Sequence, residues 1–191
     1  MNAIVPSGEL IPHRFTVADV RAMVKAGVVE EGARVELING ELVEMPADGP
    51  LHNRWSNALG FWLFGSLDPE LYAVVPGSTL VLSDTLSLKP DYYVFPAWID
   101  DQDLRASDVL LAIEEADTSL RRDLGWKAGL YASHGVRDYW VVDLNAQRTH
   151  VHREPGPDGY GSVEVFERDQ AVAALLIPGL SLRLADLPRV D

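Results

Sequence analysis

Along the chain, hydrophobic positions switch between helical and strand periods, and polar breaks mark the ends of the elements. Residues 1–14, with Pro6, Gly8 and Pro12 and no clear period, read as an N-terminal arm, and 15–187 as one folded domain. Thr16 followed by Asp19 resembles a capping box, the acid being one methylene short of Glu, so a helix is expected from about Val17 to Ala26. Gly27 then supplies a left-handed stop.

The segment Arg34-Val-Glu-Leu-Ile-Asn-Gly-Glu-Leu-Val-Glu-Met45 is two strand-like runs around Asn39-Gly40, a strong hairpin signal. A two-residue turn sets Leu37 against Leu42 and Glu36 against Val43. Val35, Leu37 and Leu42 then share one face, and Glu36 and Glu41 the other. Two acids on one face need solvent or a cation.

Leu51 to Leu67 carries Trp55, Leu59, Trp62 and Leu63 at helical spacing and is the longest expected helix. Residues 72–83 suggest strand, turn, strand, and Asp91 to Phe95 a further strand entered from Pro90. Val109-Leu-Leu-Ala-Ile-Glu114 is nearly all apolar, the pattern of a strand covered on both faces. Asp123 is placed to cap a helix from about Leu124 to His134, stopped by Gly135. Tyr139 to Asp143 reads as a central strand pairing with Arg148 to Arg153, followed by a strand at Ser162 to Phe166 and a closing segment at Leu175 to Leu184.

Composition adds bounds. The 191 residues suffice for one sizeable core, with 47% hydrophobic and 24% charged positions. No cysteine is present, which excludes disulfides and thiolate zinc sites. No apolar run spans a bilayer and no signal-peptide profile opens the chain, so a soluble, cytoplasmic protein is expected. The net charge of −13 runs against a generic nucleic-acid binder, although Arg121, Arg122 and Lys127 gather locally.

Candidate chemistry concentrates on Asp91, Glu114 and Lys127. Glu114 is expected to end a buried strand, where a carboxylate is costly unless it meets water, a donor or a cation. If the two strands lie side by side, Asp91 and Glu114 meet at one sheet end, and a hard divalent cation relieves their repulsion. Lys127, on the same helix side as Tyr131, can lean back over that end, to orient or deprotonate a water or to offset transition-state charge. Each residue has a plainer reading: Asp91 as a turn residue, Glu114 as an exposed strand end, Lys127 as a solvated helix position. Their order and context together favour the site.

Pro90-Asp91, Ile113-Glu114-Glu-Ala-Asp-Thr-Ser-Leu120, Asp123-x-x-x-Lys127, Leu130-Tyr-Ala-x-x-Gly135-Val and Asp138-Tyr-Trp-Val-Val-Asp143 occur in an order that resembles the Uma-type restriction endonucleases of the PD-(D/E)XK nuclease superfamily. The 34–45 hairpin and His52 add to the resemblance, which covers about Phe15 to Leu187. It implies an α/β, restriction-endonuclease-like fold: a mixed central β-sheet flanked by helices. It also implies a magnesium- or manganese-dependent endonuclease acting on nucleic acid, with DNA the expected substrate, and by analogy a homodimer. Asp91 and Glu114 match the metal-binding acids, and Glu41 matches an acid after the hairpin turn that completes the metal shell, with Glu36 beside it. The superfamily lysine usually follows the second acid by two positions, where Ala116 stands here, and Lys127 matches a migrated, helix-borne equivalent. Glu115 occupies a position that is commonly aliphatic, and strand alternation should point it away from Glu114.

His150-Val-His152 has a spacing that can bind a transition metal, but no third ligand is evident and an exposed strand is the plainer reading. His52 can line the site or simply pack. Trp126, Tyr131 and Trp140 can stack on bases, with core packing favoured by their spacing. Phosphate-loop, serine-elbow and zincin motifs are absent. The leading expectation is a metal-dependent phosphodiesterase. Its rival is a catalytically silent, dimeric binding or structural module of the same fold.

Overall fold

The capping pair at the chain's start is formed in the computed structural model, which describes residues 11–188. Helix α1 (Val17–Lys25) begins where the Thr16 hydroxyl accepts from the Asp19 amide and the Asp19 carboxylate accepts from the Thr16 amide. Residues 11–14 of the expected arm have no regular structure, and 1–10 lie outside the described residues.

Strands β1 (Val35–Ile38) and β2 (Glu41–Glu44) pair in the expected register, Leu37 against Leu42 and Glu36 against Val43. Asn39 and Gly40 both take positive φ, 50° and 78°, as the hairpin turn requires. Gly40 also faces the incoming chain, where a Cβ would lie 2.7 Å from that of Arg14.

The hairpin extends into a four-stranded sheet in the order β2-β1-β5-β4, with β4 (Leu80–Ser83) and β5 (Leu86–Leu88). The strand, turn and strand expected over 72–83 are all present, but the two strands belong to different sheets. β3 (Tyr72–Pro76) joins the other sheet, and β4 turns into β5 instead. β5 has no counterpart among the expected elements, because three residues are too few to show a period.

The central sheet runs β10-β9-β8-β7-β6-β3. Its strands are β6 (Tyr92–Pro96), β7 (Leu111–Ala116), β8 (Asp138–Asp143), β9 (Arg148–Gly156) and β10 (Gly159–Glu167), together with β3. Only β7 and β8 are parallel, so the sheet is mixed, as expected. Their crossover holds α3 (Leu120–Arg122), a segment kinked at Gly125 (Asp123–Lys127) and α4 (Ala128–Ser133). A short pair, β11 (Ala171–Ala173) and β12 (Ser181–Arg183), closes the chain.

Strand alternation gives the sheet two buried faces. Helix α2 (Pro50–Ser66) lays Trp55, Leu59 and Leu63 on Tyr92, Val94, Leu111, Ile113, Trp140 and Val142. The opposite face carries Tyr93, Phe95, Ala112, Tyr139 and Val141 against Tyr131 of α4 and Leu80, Leu86 and Leu88 of the smaller sheet. Both cores are apolar in the manner that drives burial. Asp138 is a structural exception. Fully buried, it accepts from Trp140 Nε1, Arg153 Nε and the Leu175 amide at 2.7–2.9 Å, tying β8, β9 and the C-terminal segment together.

Two expected elements are corrected. The strand expected at 109–114 is shifted to Leu111–Ala116, which puts Glu114 inside it rather than at its end. The helix expected from about Leu124 to His134 is broken by the kink at Gly125, with α3 before it and α4 covering only Ala128–Ser133. Asp123 is a buried interior residue whose carboxylate accepts from Arg122 Nε at 3.0 Å, not a cap.

Candidate active site

Asp91 and Glu114 are brought together by antiparallel pairing. In the β6–β7 register Tyr92 opposes Ile113, so one step further sets Asp91 across from Glu114. The Asp91 carbonyl accepts from the Gly77 amide at 2.8 Å. Its carboxylate accepts from the Glu115 amide at 2.6 Å and lies 3.1 Å from His52 Nε2, so both ends of the side chain are held.

Glu114 points to the α4 face. Its Oε1 accepts from Lys127 Nζ at 2.7 Å and from the Tyr131 hydroxyl at 2.9 Å. Lys127 also lies 3.0 Å from Glu36 Oε1, which accepts from the Lys89 amide at 2.9 Å. Lys127 and Tyr131 are four positions apart on a helical segment, which stacks them over one strand residue. Gly125 interrupts that segment with φ −101° and ψ −113°.

Not every expected residue joins. Glu41 sits on the exposed edge strand and pairs with Arg14, while Glu36, on the inner strand of the same hairpin, is 1% exposed and pairs with Lys127. Glu36 and Glu41 do share a hairpin face, but the position of β2 at the sheet edge sends only Glu36 inward. Glu115 does point away from Glu114, to the α2 face. It is nevertheless not remote from the cluster, because its amide binds Asp91 and its Oε2 lies 3.7 Å from His52 Nε2. The doublet Glu114-Glu115 inside an apolar run was the available signal: two buried carboxylates in succession demand partners on both faces.

Burial dominates the electrostatics. It pushes the Glu114 carboxyl up to about 8, a rise that Lys127 opposes and Asp91 and Asp123 reinforce. For Lys127, burial favours the neutral amine, but the charges of Glu114 and Glu36 outweigh it and hold the group above its ordinary value, as an ammonium. Burial, then Asp91 and Asp48, raises Glu115 well above the carboxylate range. Burial pulls His52 down, and the hydrogen bond and charge of Asp91, with Asp48, more than offset this, leaving it raised.

Glu36, Asp91, Glu114, Lys127 and His52 all border one cleft of about 280 Å³, whose rim also carries Arg34, Lys89 and Arg122. Glu36 Oε2 is buried without a hydrogen-bond partner. An orphan carboxylate oxygen among further carboxylates is a donor set suited to a hard divalent cation.

The crossover and pairing seen here accompany a sequence match over residues 18–185 to the Uma2 family, described as "Putative restriction endonuclease". The chain belongs to this family. A crystal structure of a putative nuclease belonging to DUF820, from Anabaena variabilis ATCC 29413, aligns with a TM-score of 0.64 at 19% identity, covering 80% of this chain and 88% of that one. At that identity the likeness is one of fold. No curated protein matches the chain.

In this Uma2 member the other candidates divide. Tyr131 and Trp140 are fully buried, whereas Trp126 is 47% exposed. His152 packs between Tyr139 and Tyr160, with ring centroids 5.3 and 5.5 Å away. Among the described residues, the one His/Asp/Glu group with metal-ligand spacing is His52, Asp91 and Glu115, so His150 and His152 gain no third ligand. No described helix is long and apolar enough to cross a membrane.

Proposed function

We propose that this Uma2 protein is a divalent-metal-dependent nuclease that hydrolyses phosphodiester bonds, with DNA as substrate and Mg²⁺ or Mn²⁺ as cofactor. The observation that carries the reading is Glu114 Oε1 shared by Lys127 and Tyr131 on a cleft that Asp91 and the orphan Glu36 Oε2 also border. Asp91 and Glu114 would hold the ion, and Glu36 takes the supporting place expected of Glu41. A bound ion supplies Lewis-acid polarisation of the phosphoryl oxygen and acidifies water.

The chain's own residues do the rest. Lys127 is held as an ammonium between two carboxylates, so it is not the base, and its role is to orient the nucleophile and offset charge on the phosphoryl oxygens. Tyr131 fixes Glu114 by donating to Oε1. Arg34, Lys89 and Arg122 are the rim cations that a phosphate backbone could meet, Arg34 from its pair with Asp48 and Arg122 from its pair with Asp123.

The net charge of −13 favours a second reading, a dimeric, catalytically silent module of the same fold. Incubating short DNA and RNA duplexes with Mg²⁺ or Mn²⁺, using the wild type, Asp91→Ala and Lys127→Ala, separates the two. Cleavage by the wild type alone supports the nuclease. Equal behaviour of all three supports the silent module.

A further inference from the structure

We propose that His52, Asp91 and Glu115 form a second cation site, on the α2 face of the central sheet, that takes a divalent transition metal such as Mn²⁺ or Zn²⁺ in preference to Mg²⁺. The alternation of β7 sends Glu115 to the face opposite Glu114. Its side chain is 0% exposed. Ser56 is near enough to influence it, yet neither carboxylate oxygen makes a regular hydrogen bond. A buried carboxylate without donors is costly, and a cation is the partner that removes the cost.

The geometry fits an ion. His52 Nε2 lies 3.1 Å from Asp91 Oδ1 and 3.7 Å from Glu115 Oε2, and one ligand atom from each of the three falls within 4.8 Å of the others. Ligand atoms about 2.0–2.2 Å from a common ion stand about 3–4 Å apart, so small side-chain shifts complete the shell. Asp91 is pre-set, since the Glu115 amide holds Oδ2 and leaves Oδ1 towards His52. The Asp48 carboxylate lies 3.9 Å from His52 Nδ1, too far for a hydrogen bond, so Nδ1 is without a partner while Nε2 faces the two acids. An imidazole among the ligands favours Mn²⁺ or Zn²⁺ over Mg²⁺. His52 and Asp91 border the cleft, which gives an ion its way in.

The inference shares Asp91 with the proposed nuclease site, so the test must tell the two apart. Full-length, chelator-treated protein is titrated with Mn²⁺, and bound ions are counted by electron paramagnetic resonance for wild type, Glu115→Gln, His52→Gln and Glu114→Gln. The expected result is two ions for wild type and one for each variant, with Zn²⁺ broadening or shifting the His52 ring nitrogens in wild type but not in Glu115→Gln. Wild-type stoichiometry in both Glu115→Gln and His52→Gln overturns the inference. A single wild-type ion lost in Glu114→Gln and kept in Glu115→Gln also overturns it, while leaving the nuclease reading intact. The reverse pattern supports this site and removes the other, and no wild-type ion at all removes both. Glu115→Gln is nearly isosteric and loses an unpaired charge, so its melting temperature should hold. Should it fail to fold, the His52→Gln count and ring signal decide.

Discussion

Lys127 Nζ lies 2.7 Å from Glu114 Oε1 and 3.0 Å from Glu36 Oε1, so one buried ammonium bridges the hairpin sheet and the central sheet. Above about pH 8, where Glu114 is ionised, removing it should leave two buried carboxylates without their cation. Lys127→Met is expected to lose about 3–5 kcal/mol in chelator, the range for a broken buried ion pair. Denaturant unfolding with EDTA checks this, and added Mn²⁺ should recover part of the loss. A loss below about 1 kcal/mol would mean that the cluster is hydrated and weakly coupled.

Glu114 makes stability depend on pH in a defined sense. Its folded pKa, about 8, exceeds its ordinary 4.5, so the folded state holds a proton that the unfolded chain releases. The stabilisation is complete below about 4.5 and is lost as pH rises through about 8. Metal-free wild type should therefore lose melting temperature relative to Glu114→Gln between those values. Metal binding should release a proton below pH 8 and tighten as pH rises towards it. Parallel melting curves for the two proteins across that range would contradict the assignment.

Helix α2 can carry His52 to Asp91 only by lying close to β6. Gly60 allows this, since a Cβ there would sit 2.7 Å from the Tyr92 hydroxyl, which itself donates to the Ser56 carbonyl at 2.7 Å. Gly60→Ala should cost about 1–3 kcal/mol through overpacking. The His52 ring resonances should shift as the helix moves. Unchanged stability and an unchanged His52 signal would show that the approach is not tight.

Asp138 offers a contrast with the site acids. Its carboxylate is committed to Trp140, Arg153 and Leu175, so Asp138→Ala should destabilise the fold by about 3–5 kcal/mol. The number of bound metal ions per folded molecule should stay the same. A changed ion count in this variant would make Asp138 part of the site.

The legible parts of the molecule are those with local chemistry. Asn39-Gly40 dictated the register of β1 and β2, and Thr16 with Asp19 the start of α1, because both signals act within a few residues. The apolar run before Glu114 announced a two-sided strand, but its true end at Ala116 depends on partners far along the chain. Lys127 and Tyr131, from a later segment of the chain, make it possible to bury Glu114. The choice between Glu36 and Glu41 was likewise invisible. Both share a hairpin face, and only the pairing of β1 with β5 makes Glu36 an interior residue.

The most direct test of the nuclease reading is the rate of plasmid cleavage by wild type and Glu114→Gln, each with Mn²⁺ and with EDTA. Wild type should cleave only with the ion, and Glu114→Gln, having lost a metal-binding charge, should fall by at least about 10²-fold. Cleavage that persists in EDTA, or equal rates for the two proteins, would contradict the account.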